Sequence, residues 1–132
     1  MKIQTLTENL FLILENQTIK LGDLYDEDEL NNPYEIISQF VYDEDLEHEF
    51  EVHEMSPEQA KTLLTHAGDI TVFKAYKDFA TSEQKELIKY KTTHYDQNRI
   101  IVLFDNKVID GNHHVIAAIL AKKPLKYINL DY

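Results

Sequence analysis

The chain has 132 residues, 43% of them hydrophobic and 11% aromatic, and a formal net charge of −11. That is enough chain for one domain with its own core, and too apolar a composition for disorder. It contains no cysteine, which excludes disulfides, a thiol nucleophile and cysteine-ligated zinc or iron–sulfur sites.

No apolar run approaches the roughly 20 residues of a membrane span, and no signal-peptide core is read at the N-terminus. A cytoplasmic protein without membrane contact is expected. The charge is uneven: between Leu21 and Ala60 stand 14 acidic residues and no lysine or arginine, while the rest of the chain holds 10 acids against 13 bases. An acidic half repels nucleic-acid backbone, so direct DNA binding is not expected of it. It is either a solvated face or a surface that imitates DNA phosphates and takes a basic protein partner through residues 21–60.

In chain order, Asn9 to Glu15 is a short apolar run that reads as a strand or a helix segment. Gly22 and the cluster Asp26 to Glu29 read as a loop or a frayed helix. Asn32-Pro33-Tyr34-Glu35 carries helix-start signals, with Asn as cap, Pro in the first position and Glu35 closing a capping box. Ile36, Ile37, Phe40 and Val41 then share one helical face. Asp43 to Glu49 is too charged to bury. Phe50 to Met55 alternates as a half-buried strand. Ser56-Pro57-Glu58-Gln59 opens a second helix, which carries Ala60, Leu63 and Leu64 to a stop at Gly68.

Ile70 to Tyr76 reads as a strand, and Thr81-Ser82-Glu83-Gln84 opens a third helix ending near Tyr90. The apolar strand Ile100 to Phe104 turns at Asp105-Asn106 and returns as Lys107-Val108-Ile109. Gly111 then leads into the helix Asn112 to Leu120, which Lys122-Lys123-Pro124 ends before a closing strand over Leu125 to Leu130. The pattern is a mixed α/β, or α+β, domain: a compact module over 49–132 behind an acidic extension, 1–48, packed on its core.

The stretch Val108-Ile109-Asp110-Gly111-Asn112-His113-His114 is the most informative. A glycine between strand and helix lets backbone approach a ligand closely. The first helical turn presents free N–H groups and the positive end of the dipole, and imidazoles there add donors for a phosphate or carboxylate. Each residue also has a plainer role: Asp110 as helix cap, one histidine as a surface group and the other as packing. No metal site is read; His48 and His53 lie an odd number of residues apart and would face opposite sides of an extended chain.

From Arg99-Ile100-Ile101-Val102-Leu103-Phe104 through Asp110-Gly111-Asn112-His113-His114 and Ala117-Ala118 to the strand after Pro124, the chain resembles the ParB/sulfiredoxin-like superfamily. The Phe50-to-Leu64 segment suits that family's opening unit. The resemblance implies a small mixed sheet with flanking helices and a nucleotide, ATP or CTP with magnesium, bound at the strand–glycine–helix element. It implies phosphate contacts from Gly111, Asn112, His113 and His114, helped by Arg99 and His94. It also implies an acid–base or metal role for Asp110, and for Glu54 at the place where enzymatic members carry an active-site acid. Phosphoryl transfer or hydrolysis follows as an activity of such a site. His114 stands where the family usually has arginine. An imidazole is half-charged only near its pKa of about 6.5, so weaker, pH-dependent phosphate binding is expected. The competing reading is a non-enzymatic acidic inhibitor of a nucleic-acid-binding protein, of phage or mobile-element type.

Overall fold

The structure, a computed structural model, describes residues 17–132; the run Asn9 to Glu15 lies outside them. In chain order the elements are β1 (Thr18–Ile19), α1 (Leu21–Leu24), α2 (Glu27–Asn31), 3-10 turns at Ile36–Gln39 and Asp43–Leu46, β2 (Phe50–Glu51) and β3 (His53–Met55). There follow α3 (Pro57–Ala60), α4 (Val72–Phe79), α5 (Ser82–Thr93), β4 (Ile100–Phe104), β5 (Lys107–Asp110), α6 (Asn112–Ala121) and β6 (Leu125–Asn129). The fold is mixed α/β, as expected, and no helix among the described residues is long and apolar enough to cross a membrane.

The main sheet runs β3-β6-β4-β5, and β1 pairs with β2 in a separate two-stranded ladder. Strands β4 and β5 form an antiparallel hairpin, β6 lies parallel to β4, and β3 closes the other edge antiparallel to β6. The hairpin turn places Asp105 and Asn106 at φ of 49° and 64°, the left-handed pair that a tight two-residue turn requires and that Asp and Asn tolerate. The free edge of β5 is shielded by Leu64, whose N–H donates to the Asn106 carbonyl and whose carbonyl accepts from the Val108 N–H.

β4 is apolar throughout because both of its faces are covered. Ile101 and Leu103 meet α6, Ala60, Leu63, Val72 and Ile88 on one side. Ile100 and Val102 meet Leu21, Tyr25, Leu30, Ile37 and Phe50 on the other. The acidic segment is therefore the second covering layer of the sheet, with Leu21, Tyr25, Leu30 and Ile37 turned inward and most of its carboxylates outward. Helix α6 is apolar nearly all round, with His114 through Ile119 buried, as a helix between a sheet and other helices must be.

Several expectations are corrected. Ile70 to Tyr76 is not a strand: Thr71 caps α4 by accepting from the Lys74 N–H at 3.1 Å, and Val72 alone of that helix is buried. The Ser56 capping box forms, but α3 ends at Ala60; Leu64 leaves the helical path to bond the hairpin. Asn32 closes α2 and accepts from the Tyr34 N–H instead of opening a helix, so Ile36–Gln39 is one 3-10 turn. Of the two readings of the acidic cluster, loop or frayed helix, it is the helix that forms, with Asp26 capping α2. Asp45, in the stretch read as too charged to bury, is 5% exposed. Its carboxylate accepts from the Tyr42 N–H and from the Tyr132 hydroxyl at 2.8 and 2.9 Å. The third helix runs past Tyr90 to Thr93.

Candidate functional site

The passage from β5 to α6 is possible only for glycine. Gly111 has φ of +111°, and a Cβ there would stand 2.4 Å from Ile101 Cγ2 on the neighbouring strand. The same bare backbone leaves α6 without a side-chain cap. Asp26, Ser56, Thr71 and Thr81 each cap their own helix. The ten-residue α6 thus begins at Asn112 with its positive end and first-turn N–H groups uncapped by any side chain.

In front of that end opens a cleft of about 670 Å³. Its floor is Ile109 to His114. One wall is the acidic segment, with Tyr25, Glu29, Tyr34 and Glu35; the other carries Lys91, His94, Asp96 and Arg99. Six expected phosphate-site residues (Gly111, Asn112, His113, His114, Arg99 and His94) and Asp110 therefore line one cavity, although the chain separates His94 from His114 by a hairpin and a turn. Glu54 does not line it. It sits on β3 opposite Lys126 of β6. Tyr25 and Lys91 escaped sequence reasoning: the first is one aromatic among several in the acidic stretch, the second one lysine among several on α5.

Asp110 is not the cap of α6. Its Oδ2 accepts from the Tyr25 hydroxyl and from Arg99 Nη2, the latter at 3.1 Å. Burial first, then the bond to Asp110, pushes the Tyr25 phenol above its ordinary pKa, so the hydroxyl stays protonated and donating. This three-residue junction ties the acidic segment to the sheet at the mouth of the cleft.

His114 is 7% exposed, and its ring stacks on Tyr95 at 4.6 Å, whose hydroxyl is anchored on the Pro124 carbonyl at 3.0 Å. Among the described residues its buried Nε2 has no hydrogen-bond partner, and neither has Asn112 Oδ1. Burial, then the charge of Arg99, pushes the His114 pKa down to about 4. Burial, then Lys91, lowers that of His113. At neutral pH the His114 ring is neutral, and the cations lining the cleft are Lys91 and Arg99, the latter paired with Asp110, beside the carboxylates of Glu29, Glu35 and Asp96. His94 ends α5, its Nδ1 3.1 Å from the Tyr90 carbonyl and its ring stacked on Tyr90 at 4.3 Å. Among the described residues no three His, Asp or Glu side chains converge on a point that holds a metal.

The described residues thus form a mixed α/β fold with a polar cleft at the N-terminal end of α6. No family model matches the chain, and no curated protein or solved structure matches it.

Proposed function

We propose that this protein binds a nucleotide or another small phosphorylated ligand, with the phosphate on the N-terminus of α6, in the manner of the ParB/sulfiredoxin-like domains it resembles. The observation that carries this reading is the conjunction at the cleft floor of an uncapped helix end with a nine-tenths buried imidazole whose Nε2 has no partner. Buried polar atoms are paired in the great majority of cases, and an anion with its hydroxyls pairs these. Arg99 and Lys91 supply the charge that the neutral histidines do not. Asp110 acts as a positioning residue that holds Arg99 at the cleft. Glu29 and Glu35 of the acidic wall would hold a magnesium ion carried on a polyphosphate, which would share the phosphate charge.

The test is thermal unfolding with millimolar ATP, ADP, CTP or GTP and magnesium. A ligand at a hundred times its Kd adds about 2.7 kcal/mol to stability. The shift is expected in the wild type and is lost in His113→Ala and Lys91→Ala proteins that retain the wild-type circular dichroism. No shift with any of the four overturns the reading.

One observation favours a second reading, a basic protein partner. A groove of about 510 Å³ between α2 and the 3-10 turns is floored by Leu30, Pro33, Val41 and Leu46 and rimmed by Glu27 and Asp43. Under this reading, binding weakens with salt and is abolished by Asp43→Lys with Glu44→Lys, while His113→Ala leaves it unchanged.

A further inference from the structure

Arg99 is the only arginine of the chain, and it stands just before β4. Among the described residues its side chain makes one hydrogen bond, from Nη2 to Asp110 Oδ2 at 3.1 Å. Arginine and a carboxylate frequently meet as a fork, with two parallel N–H···O bonds over both oxygens. Here the contact is single. The same Oδ2 also accepts from the Tyr25 hydroxyl, and Oδ1 takes no bond from a described residue. Tyr25 belongs to the acidic layer, and its ring is buried in the core with Ile100, Ile109 and Ile128. A phenylalanine ring would fill that place equally well; the hydroxyl serves Asp110. All three side chains line the cleft at the α6 N-terminus.

We propose that Tyr25 is a positioning residue of the phosphate site: its hydroxyl holds the Asp110 carboxylate by Oδ2, keeps the Asp110–Arg99 pair from closing into a fork, and so leaves Arg99 to grip the ligand's phosphate. The inference rests on the phosphate reading above and deepens it by naming what keeps its arginine available. Of the several N–H donors on a guanidinium, Asp110 engages one, and the others stay free for an anion. Without the hydroxyl, the carboxylate turns to take Arg99 through both oxygens and the anion loses its arginine. A second effect has the same sign: the donated O–H offsets part of the Asp110 charge, which an anion at the neighbouring Gly111 junction would otherwise meet.

The experiment titrates inorganic pyrophosphate into the full chain, wild type and Tyr25→Phe, by calorimetry and by the proton–nitrogen NMR signal of the Arg99 Nε–H. That signal is unambiguous because the chain has no other arginine. Pyrophosphate is expected to bind the wild type and to move the Arg99 signal. Tyr25→Phe should bind it at least about tenfold more weakly, the size of one hydrogen bond to a charged group. In the free variant the Arg99 signal should already stand away from its wild-type position, and pyrophosphate should move it little. A Tyr25 that is merely structural would lower the melting temperature and leave both the Arg99 signal and the affinity of the folded protein unchanged; that result overturns the inference. So does pyrophosphate that binds the wild type without moving the Arg99 signal, an outcome that needs no variant. If pyrophosphate does not bind the wild type, the phosphate reading itself falls, and this inference with it.

Discussion

His114 shows how far a neighbourhood can change a residue's chemistry. In an unfolded chain its imidazole titrates near 6.5; in the fold, burial and Arg99 hold it near 4. Above pH 6.5 both states are neutral and the shift has no effect on stability. As pH falls, the unfolded chain takes up a proton that the folded one refuses, so stability is lost from about pH 6.5 down to about pH 4. The loss attributable to this group is on the order of 3 kcal/mol. Urea denaturation of wild type and His114→Gln across that range should give curves that diverge above pH 4 and run parallel above pH 6.5; a constant offset throughout would refute it. None of this was legible from the dipeptide His113-His114. Its stacking and its pKa depend on Tyr95 and Arg99, which reach the helix only through the tertiary fold. The glycine before it was legible, because its need for a positive φ arises from backbone sterics within a few residues.

At the scale of elements, the hairpin β4–β5, the helix α6 and the strand β6 were readable because local signals agreed with their burial: an apolar run, a left-handed Asp-Asn turn, a glycine junction and a proline after the last turn. The segment from Ile70 to Tyr76 was misread because Ile-Thr-Val-Phe has strand propensity, whereas the cap signal was a single threonine. A helix of eight residues with one fully buried side chain depends on that cap more than a buried helix would. Thr71→Ala should therefore cost about 1 kcal/mol in urea denaturation, and Thr71→Ser should cost little. Equal stability of wild type and Thr71→Ala would argue against the capped helix. The segment between Gly22 and Glu49 was illegible for a different reason. Its short helices and 3-10 turns bury one residue each, too few to leave a periodic mark against a run of carboxylates.

For the molecule as a whole, the acidic part behaves as a layer of the fold. Leu21, Tyr25, Leu30 and Ile37 share one core with Ile100, Val102, Ile109, Ile128 and Leu130, and β1 pairs with β2 across residue 48. A fragment of residues 49–132 should therefore expose that whole face. It is expected to bind a hydrophobic dye and to melt without a cooperative transition, and a cooperative melt in calorimetry would show the remaining residues to be self-sufficient. The cleft also needs both parts, since Tyr25 reaches across to Asp110.

The strand order β3-β6-β4-β5 bears on how the chain is made. The strand that leaves the ribosome last of the four takes an inner place, bonded to neighbours translated well before it. Until Leu125 to Asn129 emerge, β3 has no partner and β4 has only its hairpin mate, so the nascent chain holds exposed strand edges that invite premature association. The carboxylates of the early-made segment keep such an intermediate apart from its copies through the wait.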